Sequence, residues 1–304
     1  AVYLTNFGCG PDSFIQHVFE EVMGDKPYLA LEIDEHAADA GIITRCEAFL
    51  DSLRGRRREG TSPYRDTLNT VERPLEGRTL WIPLMSDATR MAAAAVRRRG
   101  VEARAIPPTC RDTVSAGREA TTGKECYPSI ITSGNMLRIL QREDPDRTAF
   151  FMGTASGPCR FGQYCSFQRM LLRRKGFGGV PVLTSSSSGS YGGVPGLSGP
   201  GFQLDLLRGI AAADVLHRGL LRVRPYEGEP GAADGAYGRA LGRLTAAMES
   251  GGELTDVLEE AAEELAAVSG DGAGRPLVHV FGEIYVRNDP YANGYTADRI
   301  ERLG

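Results

Sequence analysis

The sequence predicts an α/β protein built from layers of parallel sheet with additional helices. Three observations point there. Short apolar, β-rich runs alternate with stretches whose apolar residues recur at helical spacing. The connections between them are short, as parallel strand–helix–strand packing requires. Glycine and proline collect where a run hands over to a helix, the edge at which open parallel sheets gather their ligands.

The opening run, "AVYLTNF", reads as a strand. After a Gly-Cys-Gly-Pro turn, Phe14, Ile15, Val18, Phe19 and Val22 mark a helix with Asp12 or Ser13 at its N-cap. "KPYLALEID" is a second strand, and Ile42, Ile43, Cys46, Phe49, Leu50 and Leu53 form the apolar face of a second helix. Periodicity lapses over 54–77, where "RGRRREGTSPYRD" reads as an exposed linker. The strand "RTLWIPLM" and the helix "DATRMAAAAVRRRG" reopen the alternation, and "TAFFMGTA" is a further strand before a helix from about Phe161 to Lys175. "VPVLTSS" ends a strand and runs into the Gly/Ser/Pro loop "SSGSYGGVPGLSGPG", a length that within a domain usually serves function. Helices are expected over 202–221 and 237–268. A last strand at Leu277–Val280, the turn "RNDPYANGY" and a closing helix complete the chain. The division this gives is 1–53 as a first α/β stretch, 54–77 as linker, and 78–304 as a second α/β region. Within that region 78–200 carries the cysteine loops, 201–275 is helical, and 276–304 opens a further α/β unit.

The 304 residues, 41% hydrophobic and 24% charged, suit a well-buried globular protein. A formal net charge of −4 gives no electrostatic case for nucleic acid, and "RGRRREG" reads as a solvated charge run. No apolar run is long enough to cross a bilayer and no secretion signal opens the sequence, so a cytoplasmic protein without a membrane partner is expected. Both ends read as cut from a longer polypeptide. Six cysteines in such a setting suggest metal binding or redox chemistry before a disulfide framework.

Three of those cysteines share a setting. Cys9 and Cys159 each lie between the end of a strand and the start of a helix, and Cys126 precedes the helix "YPSIITSGNMLRIL". A thiolate is stabilised at a helix N-terminus. Glycines leave free backbone N–H groups and let a backbone approach a bound group closely; Gly8, Gly10, Gly123 and Gly157 are placed to do so. Pro11, Pro128 and Pro158 stiffen the loops. An anionic metal cluster fits this pattern; the competing reading is three small buried hydrophobes that happen to be cysteine. Cys46 lies on a helical apolar stripe and reads as core. Cys110, in "IPPTCRD", reads as a surface thiol, and Cys165 stands within reach of a fourth-ligand role. There is no C-x₂-C pair, no phosphate-binding loop of the P-loop type and no nucleophile elbow. His36, with Asp34 and Glu35, reads either as a helix-capping cluster or as an acid/base group at the Cys9 edge. Glu283, Tyr285, Arg287 and Asn288 in "GEIYVRNDPYAN" form either a polar binding lip or a turn.

The stretches "NFGCGPDSFI", "LEIDEHAADAGIITRCEAFLDSL", "GKECYPSIITSGNM", "TASGPCRFGQY" and "GEIYVRNDPYAN" closely resemble the C-terminal, dehydratase-like part of the large activase-related proteins of the 2-hydroxyacyl-CoA dehydratase system. The resemblance runs over nearly the whole chain, and it implies a tandem repeat in which 1–53 is the C-terminal part of a first α/β domain. It implies flavodoxin-like or Rossmann-like layers and a [4Fe-4S] cluster, or a linked double-cubane cluster, with Cys9, Cys126 and Cys159 as ligands. It also implies that Gly8, Gly10, Gly123, Gly157 and Arg160 contact that cofactor. Many relatives carry a second cysteine where this chain has Ser129, which favours a single three-cysteine cluster with one open iron. The implied partner is an ATPase domain or subunit of the sugar-kinase and actin type, whose phosphate loops are missing from this sequence. The function expected is low-potential electron transfer or reductive activation. The alternatives are a catalytic reductase or dehydratase acting on an acyl-CoA or other small molecule, and a non-redox scaffold or regulator of the ATPase. A homodimer is compatible with each.

Overall fold

The computed structural model describes residues 1–6, 10–34, 36–54, 74–155, 157, 159–184, 197, 199–270 and 274–303. Among them every strand pairing is parallel, and the fold is α/β. A small sheet joins β1 (Val2–Thr5) to β2 (Leu29–Glu32), with Val2 opposite Leu29 and Thr5 opposite Glu32. The larger sheet has the order β4-β3-β5-β6, from β3 (Thr79–Ile82), β4 (Ala103–Ala105), β5 (Thr148–Phe151) and β6 (Val182–Leu183). From β3 the chain steps outward to β4, then crosses back to lay β5 and β6 on the other side. The winding therefore reverses between β3 and β5, and the loops leaving their carboxyl ends diverge there.

Strand alternation explains the layers. Leu80 and Ala149 point into one core with α3 (Ala88–Arg97), α7 (Pro200–Val223), α8 (Ala232–Ser250) and α9 (Leu254–Val268). Alanines dominate that interface, among them Ala94, Ala95, Ala236 and Ala240, so the helices approach the sheet closely. Trp81, Phe150 and Val182 point the other way, onto α5 (Tyr127–Leu140) and α6 (Tyr164–Arg174). Phe14 of α1 (Asp12–Met23) joins this second core, stacking on Tyr164 with ring centroids 5.8 Å apart. With His17, whose ring lies 4.8 Å from that of Phe167, it holds α1 on the face formed by α5 and α6. Helices α4 (Arg111–Ala120) and α5 cross at Gly117 and Gly134, where a Cβ would collide with the facing backbone.

Several expectations need correction. Helix α1 is preceded by Pro11 at its N-cap, not Asp12 or Ser13; Asp12 instead accepts hydrogen bonds from Tyr3 (3.2 Å) and Thr5 (2.8 Å), bracing the helix on β1. Helix α2 (Asp39–Leu53) forms, yet none of its residues is buried, and Ile43 and Leu50 are 55% and 59% exposed. An apolar stripe is buried only where a second layer meets it, and no described layer covers α2. Cys46 is therefore half-buried and not a core residue. The helix expected over 237–268 is two helices, broken at Gly251, whose φ of +79° ends α8. The strand expected at Leu277–Val280 does not form: no described strand pairs with it, and its side chains stand in solvent. The chain there leads to α10 (Ile284–Asn288) and α11 (Thr296–Arg302). Strand β4 and helix α4 were not anticipated, because "EARAI" is too short and α4 too polar to show a period. Residues 55–73 of the 54–77 segment, the "RGRRREG" run after Arg54 included, and most of the Gly/Ser/Pro loop lie outside the described residues.

Candidate functional site

The turns ahead of α1, α5 and α6 meet at one guanidinium. Arg160 opens a 3₁₀ turn, Arg160–Gln163, directly after Cys159. Its Nη1 donates to Ser13 Oγ at 3.0 Å and to the Lys124 carbonyl at 3.3 Å. Ser13 Oγ in turn donates to the Gly10 carbonyl at 2.9 Å. One side chain thus joins the residue after Cys159, the residue two before Cys126 and the residue after Cys9. Cys9 itself, with Gly8, lies outside the described residues. Among the described residues Arg160 has no ion pair; its partners are a hydroxyl and a carbonyl.

Tyr164, at the start of α6, gathers the thiols. It is 5% exposed, and its phenol is pushed well above the ordinary tyrosine range. Burial is the main cause, followed by a hydrogen bond with the Cys126 side chain and by the negative charges of Cys126, Glu283 and Cys159. Cys126, Glu283 and Cys159 are therefore near enough to act on the phenol, and the "GEIYVRNDPYAN" stretch contributes to this edge through Glu283. That stretch is held by Tyr285, 2% exposed, and by Asp289, which accepts a 2.5 Å hydrogen bond from Thr109. Phe161 packs edge-on against Tyr164, and Phe14 covers its opposite flank.

A buried pair secures the Cys126 turn. Glu125 Oε1 lies 2.6 Å from His17 Nε2 and also accepts from the Thr122 amide and hydroxyl, each at 3.1 Å. Burial pushes the Glu125 carboxyl up, but the hydrogen bonds from His17, from its own backbone and from Thr122 outweigh it and hold the group at about 2. Lys124 forms an ion pair with Glu32 at the end of β2. Helix α1 and strand β2 are thus both tied to the turn that ends in Cys126.

The predicted glycines have the conformation a cradle needs. Gly10, Gly123 and Gly157 have φ of +58°, +83° and +122°, and a Cβ at any of them would meet no protein atom within 4 Å. Farther along, a Cβ at Gly162 would strike the Ala155 carbonyl, so the Cys159 loop folds tightly back on the end of β5. The remaining cysteines lie apart. Cys165 is 3% exposed and turns toward the Val182 carbonyl, 3.9 Å away, with its thiol pushed up mainly by burial; it faces the sheet. Cys110 is the N-cap of α4, with Arg138 Nη1 donating to its sulfur at 2.8 Å, so it is braced and not a free surface thiol. His36 donates its backbone N–H to Asp34 at 3.1 Å, and Glu35 lies outside the described residues.

Sequence reading missed Tyr164, His17, Glu125 and Ser13. The residue types gave no warning, since His17 and Tyr164 fall on ordinary helical faces and only packing brings them to the turns. Among the described residues no group of three or more His, Cys, Asp or Glu side chains is arranged to hold a metal ion, and Cys9 is not among them. No helix of the described residues is long and apolar enough to cross a membrane.

Fold and site together define a class: a doubly wound parallel α/β protein whose helix-leading turns bring two cysteines to one edge, with an arginine whose partners among the described residues are neutral. Comparison with protein-family models, with curated proteins and with solved structures gives no match.

Proposed function

We propose that this chain is an iron–sulfur protein. It binds a [4Fe-4S] cluster through Cys9, Cys126 and Cys159 and serves low-potential electron transfer in an ATP-dependent activation system of the 2-hydroxyacyl-CoA dehydratase type. The observation that carries the proposal is the junction at Arg160. Cysteine sulfurs are iron ligands, and an arginine that makes no ion pair among the described residues can offset the net negative charge of a thiolate-ligated cluster. The open space beside Gly10, Gly123 and Gly157 fits such a guest, because the surrounding backbone can approach it without a Cβ in the way. A bound cluster supplies one-electron redox chemistry. The chain supplies the rest: Arg160 would offset negative charge, the buried Tyr164 lies near Cys126, and Phe14 and Phe161 pack against the Tyr164 ring. The partner in this reading is an ATPase of the sugar-kinase and actin type.

One observation favours a second reading, catalysis on an acyl-CoA or other small molecule at an open iron. Glu283 lies near enough to raise the Tyr164 phenol, so a carboxylate and a proton-bearing hydroxyl are available on the side of Cys126.

The test is anaerobic reconstitution followed by iron and acid-labile sulfide analysis. The proposal expects both elements in near-equal amounts, lost in Cys9→Ala, Cys126→Ala and Cys159→Ala and kept in Cys46→Ala. Zinc, no metal, or a full iron complement in the triple variant would overturn it. A cluster EPR signal that shifts when an acyl-CoA is added would select the catalytic reading.

A further inference from the structure

Helix α4 and the turn after α10 border a groove of about 540 Å³ that the cysteine turns do not use. That volume falls within the roughly 300–1,000 Å³ of small-molecule sites. Its lining is Arg111, Val114, Ser115, Arg118 and Glu119 of α4, with Tyr291 across from them. At about 100° per residue the five helical positions share one face, with the two arginines about 20° apart around it and about 10 Å apart along it. Both arginines are exposed, and among the described residues neither side chain has an ion pair or a hydrogen bond. Asp112, the acidic residue of the first turn, is outside the lining and pairs with Arg138 at 3.7 Å.

The lining is sorted along the helix. At its C-terminal end Arg118 and Tyr291 both stand near Tyr127, whose phenol is raised mainly by burial, with Arg118 acting against the rise and Tyr291 and Asp289 adding to it. Asp289 is itself engaged, accepting from Thr109 at 2.5 Å and from the Ala292 amide at 2.8 Å. Tyr291 is half-buried, and its turn is fixed by the Asn293, Gly294 and Tyr295 amides, which donate to the carbonyls of Asp289, Tyr291 and Pro290. Glu119 Oε1 accepts from Ser115 Oγ at 3.4 Å, which leaves Oε2 open. The buried Val114 is the apolar floor. Arg111 opens α4, where the partial positive charge of the helix end favours an anion.

Each of these groups suits one part of a nucleotide. A guanidinium offers parallel N–H donors to phosphate, and two of them spaced along a helix suit a chain of phosphates better than a lone anion. A tyrosine ring beside an apolar side chain takes a planar base, and a carboxylate with a free oxygen accepts from ribose hydroxyls. We propose that this groove binds a nucleoside diphosphate. The base lies against Tyr291, the ribose hydroxyls meet Glu119, and the phosphates run from Arg118 toward Arg111. The site needs no cluster and stands independently of the iron–sulfur reading.

Titration calorimetry of the 304-residue chain with ADP in magnesium-free buffer is expected to show one site per chain. Arg111→Gln and Arg118→Gln should each weaken ADP about tenfold or more, as loss of a charge-assisted hydrogen bond does. Tyr291→Ala should weaken ADP and leave pyrophosphate binding as it was. Glu119→Gln should weaken ADP but not 2′,3′-dideoxy-ADP. Far-UV circular dichroism confirms that each variant is folded. Coenzyme A carries the same nucleoside diphosphate unit and separates the two sources of this chemistry. If it binds and is lost with the same arginines, the ligand is a nucleotide-bearing carrier; if ADP binds and coenzyme A does not, it is a free nucleotide. Either result upholds the proposal. No ADP binding at millimolar concentration overturns it, and so does an ADP affinity indifferent to both arginine variants. Pyrophosphate that binds as tightly as ADP, with ADP unmoved by Tyr291→Ala, also overturns it, because the groove would then hold only an anion.

Discussion

The His17–Glu125 pair should be the most consequential polar contact outside the cysteine turns, and a double-mutant cycle can measure it. The Glu125 side chain is fully buried and His17 nearly so. Removing His17 leaves a carboxylate in the interior with only Thr122 and backbone amides as partners. A carboxyl held at about 2 and not at its ordinary 4.5 corresponds to an upper figure of about 3 kcal/mol for all its favourable partners together. Breaking a buried pair from one side generally costs about 3–5 kcal/mol. Since Thr122 shares the work, His17→Ala should lower stability by about 3 kcal/mol, with a coupling to Glu125→Ala of about 2 kcal/mol. The sign with pH follows from the direction. Glu125 is depressed in the folded state, so its contribution is complete above about pH 4.5 and is lost as pH falls toward 2. Urea denaturation of wild type, both single variants and the double variant at pH 7 and at pH 3 provides the assay. A coupling at pH 7 within 0.5 kcal/mol of zero, on the roughly additive scale of independent sites, would refute the reasoning. A coupling that grows on acidification would do the same.

Other outcomes follow from single sites. Gly123→Ala should lower stability by about 1–2 kcal/mol through its φ of +83°, not through any clash, and equal denaturation midpoints would contradict this. Cys110 should be alkylated faster than Cys165 at neutral pH, because Thr113 and Arg138 outweigh burial and lower its thiol pKa; Arg138→Ala should slow it, as read by peptide mass spectrometry. Cys165→Ala should cost about 1 kcal/mol of core packing and leave cluster content unchanged, and loss of iron would restore Cys165 as a ligand. In reconstituted protein Arg160→Met should make the cluster potential more negative by about 60 mV, the equivalent of about 1.4 kcal/mol for one electron, and an unmoved potential would remove Arg160 from the cluster's surroundings.

Much of the frame was legible in the residues. Helix α5 begins and ends where "YPSIITSGNMLRIL" does, and five of the six described strands coincide with apolar runs bounded by turns, because strand and helix periods are local properties of the chain. The positive φ of Gly10, Gly123 and Gly157 was legible too, since only glycine adopts such angles freely. Burial was not. The stripe of α2 and the run Leu277–Val280 look as apolar as any core segment, yet each stays exposed because what buries a stripe is a surface supplied from elsewhere. The site followed the same division. The sequence by itself determined which turns carry cysteine between glycine and proline. Only tertiary structure decided that Arg160 reaches Ser13 and Lys124, that Tyr164 is buried near Cys126 and Cys159, and that His17 secures Glu125. Those contacts join residues far apart in the chain, and their geometry is set by how α1, α5 and α6 pack on one face of the sheet, a property of the assembled layers that no local period encodes.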